Sequence, residues 1–145
     1  MMALNIYINF EDNCREAFEF YRSIFGGEFA FISTFREGPE EMEEMHIPEE
    51  HLDRIMHVSL PIGDSVLMGS DTTSAFCAPL VAGNNFSISF EADSRDHADE
   101  VFAKLSDGGS VMWPMADAFW GAYFGSCTDK FGINWQVIAE NPPHE

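Results

Sequence analysis

The segment NIYINFEDNCREAFEFYRSIFGG, Asn5 to Gly27, decides the fold because it occurs twice. Its counterpart is NFSISFEADSRDHADEVFAKLSDGG, Asn85 to Gly109. Each copy runs from an alternating strand ending in Phe-Glu, through a helical stretch, to Gly-Gly. Phe10-Glu11 matches Phe90-Glu91, Ala17 matches Ala98, Ile24 matches Leu105, and Gly26-Gly27 matches Gly108-Gly109. Solenoid repeats recur every ~20–50 residues, so a spacing of about 80 residues fits a duplicated half-domain instead.

Local signals place a helix in each copy. Asn13 is the expected N-cap of the first, with Glu16 completing a capping box. Ala17, Phe20, Tyr21 and Ile24 then recur at i, i+3, i+4 and i+7, the spacing of a buried stripe. Ser94 is the expected cap of the second helix, whose stripe is Ala98, Val101, Phe102 and Leu105. Gly26 and Gly108 suit left-handed helix stops. Strands are expected over Glu28–Phe35, Arg54–Ile62 and Asp64–Ser70, the last two joined by a tight Gly63-Asp64 turn. The second copy is followed by strands over Gly109–Pro114, Ala122–Asp129 and Ile133–Ala139, the last two joined by Lys130-Phe131-Gly132. Both halves therefore read β-α-β-β-β in a single α+β domain over 1–145, with module one at about 3–72, a linker at about 72–84, and module two at about 85–140. The acidic stretch EGPEEMEEMHIPEEH, Glu37 to His51, is expected to be a solvated loop holding at most one helical turn.

Composition narrows the function classes. Hydrophobic residues make up 46% of the 145 residues and aromatics 14%, enough apolar surface for one ordinary core. Seven Lys and Arg stand against 25 Asp and Glu, a formal charge of −18. Phosphate backbones and anionic lipid would be repelled, so neither nucleic acid nor membrane is an expected partner. The acidity reads first as solubility or a halophilic source, and second as a preference for cations. Cys14, Cys77 and Cys127 form no CxxC pair, which suits a reducing compartment and, with no apolar leader, a cytoplasmic location. Cys14 lies near a helix start, where a thiol is sometimes activated; a buried, inert thiol is the competing reading.

Strand alternation carries the functional argument. Leu4, Ile6, Ile8 and Phe10 share one face of the first strand and leave Asn5, Tyr7 and Asn9 on the other. Phe86, Ile88 and Phe90 likewise leave Asn85, Ser87, Ser89 and Glu91. Ile133, Trp135 and Val137 leave Asn134 and Gln136. A polar but mostly uncharged face, in so acidic a chain, suits a half-enclosed surface that orients a small molecule. A polar internal network or a subunit interface is the competing reading. Trp113, Phe119, Trp120 and Phe124 offer aromatic walls for a planar ligand, or equally packing surface. His57, in IMHVSL, is a candidate ligand-orienting group or base, with Tyr7 as a second weak catalytic candidate. His46 and His51, five apart in an acidic loop, lack the frame of a metal motif.

The segments Asn5–Glu28, RIMHVSLPIGDSVLMGSD (Arg54–Asp71) and FWGAYFGSCTDKFGINWQV (Phe119–Val137) together resemble the vicinal oxygen chelate superfamily. That superfamily includes glyoxalase I, extradiol dioxygenases and bleomycin-resistance proteins, and its PhnB-like branch is the nearer match. The resemblance implies a cup-shaped mixed sheet with helices on its outer face, commonly completed by a homodimer. It also implies inward-facing ligand positions at Asn5, near Ser87, near Met68 and at Gln136. Divalent first-row metals want anionic or imidazole donors, and none of these four supplies one. The expectation is therefore no metal and no cofactor, with Asn5, Tyr7, Asn9, His57, Ser87, Ser89, Trp113, Trp120 and Gln136 binding a small apolar or aromatic molecule. The alternative is a lyase, isomerase or dioxygenase-type enzyme with unorthodox ligands or none. Some members of the branch carry a demethylubiquinone methyltransferase label, yet the sequence has no GxGxxG or other nucleotide fingerprint.

Overall fold

A computed structural model of the chain describes residues 2–75 and 77–140. The chain divides between Val81 and Ala82, inside the expected linker, into two compact units. The linker residue Phe76 lies outside the described residues.

The first unit contains β1 (Ile6–Phe10), α1 (Cys14–Phe25), β2 (Phe31–Thr34), β3 (Ile55–Ile62) and β4 (Ser65–Asp71). Its sheet has the order β1-β4-β3-β2, with β1 parallel to β4 and the other pairs antiparallel. The second unit contains β5 (Ile88–Glu91), α2 (Arg95–Ser106), β6 (Ser110–Asp117), β7 (Ala122–Thr128) and β8 (Asn134–Glu140). Its order, β5-β8-β7-β6, repeats the first with the same parallel and antiparallel pairs. The duplicated half-domain and the α+β class thus stand as expected.

Each helix packs where a glycine opens the sheet. A Cβ on Gly69 of β4 would meet the Phe18 ring of α1 at 2.6 Å and the Ile8 carbonyl at 2.9 Å. That vacancy rotates α1 so that Cys14, Ala17, Phe18 and Tyr21 are buried. The expected stripe is shifted accordingly, with Phe20 and Ile24 only half-buried. On α2 the stripe Ala98, Val101, Phe102 and Leu105 is buried as expected. Gly125 of β7 accepts Phe102 in the same manner, since a Cβ there would meet the Phe102 ring at 3.0 Å and the Met115 sulfur at 2.5 Å.

The two helix starts differ. Ser94 accepts a hydrogen bond from the His97 amide at 3.0 Å, satisfying one of the free first-turn donors. Asn13 makes no such bond, so the Asn13–Glu16 capping box does not form. A long-range acceptor replaces it: the carboxylate of Asp71, at the end of β4, accepts from Cys14 N at 3.0 Å and from Ile55 N at 2.8 Å. Asp129 closes the β7–β8 hairpin similarly, accepting from Phe131 N at 2.8 Å, Ile133 N at 3.1 Å and Trp135 Nε1 at 2.9 Å.

Several boundaries differ from the sequence reading. The acidic stretch forms two 3-10 segments, Glu40–Met45 and Glu49–His51, rather than a single turn. Proline precedes each and supplies an extended entry, while the acidic first turns suit the helix dipole. β6 runs on to Asp117, and β5 starts only at Ile88. Leu4 and Phe86 therefore precede their strands and are exposed at 97% and 66% instead of joining the apolar faces.

Candidate functional site

The glycine contacts tell the two faces of each sheet apart. Gly69 faces α1, so its paired neighbours Ile8 and Val58 do too. Residues one position away project to the helix-free side, where the register aligns Tyr7, Met68, Ser59 and Phe31 across four strands. The next row holds Asn9 beside Ser70 and His57 beside Ser33. No residue of these two rows carries a formal charge with neutral histidine.

His57 is the centre of this face. The Tyr7 hydroxyl lies 3.4 Å from His57 Nδ1, and the two rings stack with centroids 5.7 Å apart. Phe31 approaches the imidazole from the opposite side, on the adjacent strand β2, with centroids 5.8 Å apart. Tyr7 and Phe31 remain 47% and 50% exposed, so the aromatic group is open to a ligand. Ser70 donates to Asn9 Oδ1 at 3.3 Å. The face thus combines ring surface from Tyr7, His57 and Phe31 with hydrogen-bonding groups from Asn9 and Ser70, a combination typical of small-molecule sites.

In the second unit, Gly125 and Val137 face α2, which turns Ser89, Gln136, Ser126 and Trp113 to the helix-free side in one row. Trp113 is 66% exposed at the edge. Trp120 lies outside this row, in contact with Phe124 at 5.6 Å and Phe119 at 5.3 Å between centroids. The structure thus brings Tyr7 to His57 and Ser89 to Gln136, with Trp113 in the same row on the far edge strand. Ser87 stands exposed before β5.

Asn5 supports the backbone instead: its Oδ1 accepts from Val66 N at 3.1 Å, extending the β1–β4 pairing by one rung. Asn134 likewise accepts from Thr128 Oγ1 and donates to the Gly83 and Phe86 carbonyls. His51 turns from the acidic segment to Thr73, with Nδ1 and Oγ1 3.0 Å apart, while His46 is exposed at a left-handed backbone position. The two histidines therefore occupy separate environments. Burial, helped by the neighbouring Asp71 carboxylate, pushes the Cys14 thiol far up from its ordinary value, and Cys127 is pushed up to about 11. Both are buried, so the activated-thiol reading of Cys14 gives way to the inert one.

The register also tests the superfamily's ligand positions. Asn9 pairs with Ser70 as Ser89 pairs with Gln136, so the counterpart of Gln136 in the first unit is Ser70, two residues beyond Met68. The matched set then offers amides and hydroxyls, and Asn9 and Ser70 already bond each other. Among the described residues no group of three or more His, Cys, Asp or Glu is placed to hold a metal ion. These side chains do not fit a divalent first-row ion.

Sequence reasoning missed Phe31, Ser33, Ser59 and Ser70. In EFAFISTF both alternating sets contain aromatic or apolar residues, so periodicity could not say which set faces α1. Pairing of Ile32 with Val58, on the Gly69 row, is what decides it.

The family model described as 3-demethylubiquinone-9 3-methyltransferase matches residues 3–138 of this chain. Protein YjdN from Escherichia coli is 26% identical over 144 residues, covering 94% of each chain. Protein PA1353 from Pseudomonas aeruginosa is 37% identical with a TM-score of 0.85, over 98% of this chain and 100% of that one. The PhnB protein from Bacillus cereus shares the fold at 22% identity and a TM-score of 0.74, over 95% and 99% of the two chains.

Proposed function

Since the chain belongs to the PhnB-like family, described as 3-demethylubiquinone-9 3-methyltransferase, of the vicinal oxygen chelate superfamily, we propose that it is a binding protein for a small apolar or aromatic molecule. The ligand lies on the helix-free face of the first sheet, and no metal takes part. The observation that carries this reading is the half-exposed ring cluster of Tyr7, His57 and Phe31, set in an uncharged hydrogen-bonding rim. Ring stacking and apolar burial supply the affinity, while Asn9 and Ser70 orient polar substituents. The matched strand positions of each unit are neutral, Asn9 and Ser70 in the first and Ser89 and Gln136 in the second, which supports a metal-independent mode. Methyl transfer is not the activity proposed, because the sequence carries no nucleotide fingerprint and the rim lacks an obvious catalytic charge.

A second reading has one specific observation behind it. A phenol and an imidazole 3.4 Å apart are an acid–base pair in reach of a proton-bearing ligand, as a metal-independent isomerase or lyase would need. The protein is further proposed to work as a homodimer, supported by exposed Val111, Met112 and Trp113 on edge strand β6. Sedimentation at micromolar concentration tests that point, and a monomer throughout refutes it.

Calorimetric titration with a panel of one- to three-ring compounds tests the main reading. Saturable binding at one per chain, weakened about tenfold or more by Phe31→Ala, supports it, each lost ring contact being worth about 0.5–1.5 kcal/mol beyond area burial. A panel without hits, or hits indifferent to Phe31→Ala and Tyr7→Ala, refutes it. Turnover that His57→Gln abolishes while binding persists selects the enzyme reading.

A further inference from the structure

Resting on the reading of the Tyr7–His57–Phe31 face as the ligand site, we infer that its ligand is a planar organic cation, such as an N-alkylated or protonated nitrogen heterocycle. Three observations converge on this chemistry. The first is the presentation of ring faces, whose quadrupoles attract a cation placed over them. Tyr7 and Phe31 flank His57, with ring centroids 5.7 and 5.8 Å from the imidazole, and remain 47% and 50% exposed, so aromatic surface is accessible beside the imidazole.

The second observation is the field around the site. The first 81 residues hold 15 Asp and Glu against four Arg, a difference of −11 out of the chain's −18. Such a field concentrates cations and depletes anions near the surface. The third is that the unit's arginines are committed elsewhere. Arg22 pairs with Glu19 and Glu28, and Arg36 with Glu49 and Asp53. Arg54 donates to the Thr72 carbonyl and lies 3.6 Å from Asp12. Arg15 is on α1, the opposite side of the sheet. The two helix-free rows contain no Lys or Arg, so no counter-charge for an anionic ligand stands among them.

A cation over this face needs no buried carboxylate partner. Quadrupole attraction acts at contact, and the surrounding acidic field acts at longer range without desolvating any carboxylate. An anionic ligand would be opposed on both counts. A neutral ring would gain only burial and stacking.

The test is a matched trio of one ring system: quinoline, N-methylquinolinium and quinoline carboxylate, each titrated into the full chain by calorimetry. At about 20 mM salt the cation is expected to bind one per chain, roughly tenfold tighter than quinoline, with the carboxylate weakest. Near 0.5 M salt that advantage is expected to shrink, because the long-range part is screened. Ser70→Lys, which adds a cation to the face, is expected to weaken N-methylquinolinium about tenfold more than it weakens quinoline. Quinoline binding as tightly as N-methylquinolinium at low salt, or the carboxylate binding tightest, overturns the inference while leaving the face as a ligand site. No saturable binding by any of the three, or binding untouched by Tyr7→Ala and Phe31→Ala, overturns the inference together with the reading beneath it.

Discussion

Replacing Asp71 removes a side chain that ties three elements of the first unit together. Its carboxylate is 3% exposed and accepts from the first amide of α1 and the first amide of β3. Asp71→Ala leaves both N–H groups without this acceptor in a buried site. Each buried donor left unpaired costs about 1–3 kcal/mol, so the gross loss is roughly 2–6 kcal/mol. Relief of a buried charge offsets part of that, since burial raises the Asp71 pKa against the lowering effect of its two amide bonds. A net loss of about 2–4 kcal/mol is expected, or a Tm drop of roughly 6–12 °C for a chain of this size. Asp71→Asn keeps one acceptor and should lose about half as much. The assay is urea unfolding followed by circular dichroism, with the midpoint and slope compared across the three proteins.

The same variant has a pH signature. A raised carboxyl pKa means that the folded protein holds this proton more tightly than the unfolded chain does. Stability from this group is therefore greatest below the unfolded carboxylate pKa of about 3.9 and declines as pH rises through the folded value. Asparagine does not ionise, so the stability gap between wild type and Asp71→Asn should be wider at acid pH and narrower at neutral pH. Using the difference cancels the other 24 carboxyl groups of the chain. A gap that widens with rising pH would contradict the raised Asp71 pKa, and Asp71→Ala as stable as wild type would contradict the role of its two amide bonds.

Other perturbations separate structural from functional roles. Ser94→Ala removes the α2 cap and should cost about 1 kcal/mol by urea unfolding, whereas Asn13→Ala, at a cap whose side chain makes no bond, should cost less. Gly69→Ala drives a methyl into the Phe18 ring and the Ile8 carbonyl and should destabilise by about 1–3 kcal/mol in the same assay. In the native protein a chromogenic disulfide reagent should leave Cys14 and Cys127 unmodified near neutral pH and label the half-buried Cys77 first; rapid labelling of Cys14 would contradict its burial. After exposure to zinc, nickel, iron and manganese, elemental analysis should find no stoichiometric tightly held ion. About one ion per chain, lost in Gln136→Ala, would refute metal independence.

Much of this protein is legible in its residues. The two β-α-β-β-β modules follow from a repeat of strand, helix and double glycine, because alternation and helical spacing are local signals that survive any tertiary arrangement. The α2 stripe and the Ser94 cap follow for the same reason. Tyr7 and His57 are each recognisable as candidates, yet they stand 50 positions apart in the sequence. Their contact needs β3 and β1 to flank β4, since a strand's neighbours are set by long-range pairing that no local pattern encodes. Phe31 is hidden by ambiguity, its strand having apolar residues on both faces until Ile32 is matched to Val58. The α1 cap escapes a local reading because its acceptor arrives from Asp71, 57 residues away from Cys14. The order of residues is enough to say which segments form the main helices and strands and that the matched polar strand positions are neutral. Tertiary structure alone decided which rings meet, which amides are already occupied by backbone donors, and which face of each sheet is left open. Those outcomes depend on strand register and on the two glycines that admit Phe18 and Phe102, where contact distances of a few ångströms choose the side.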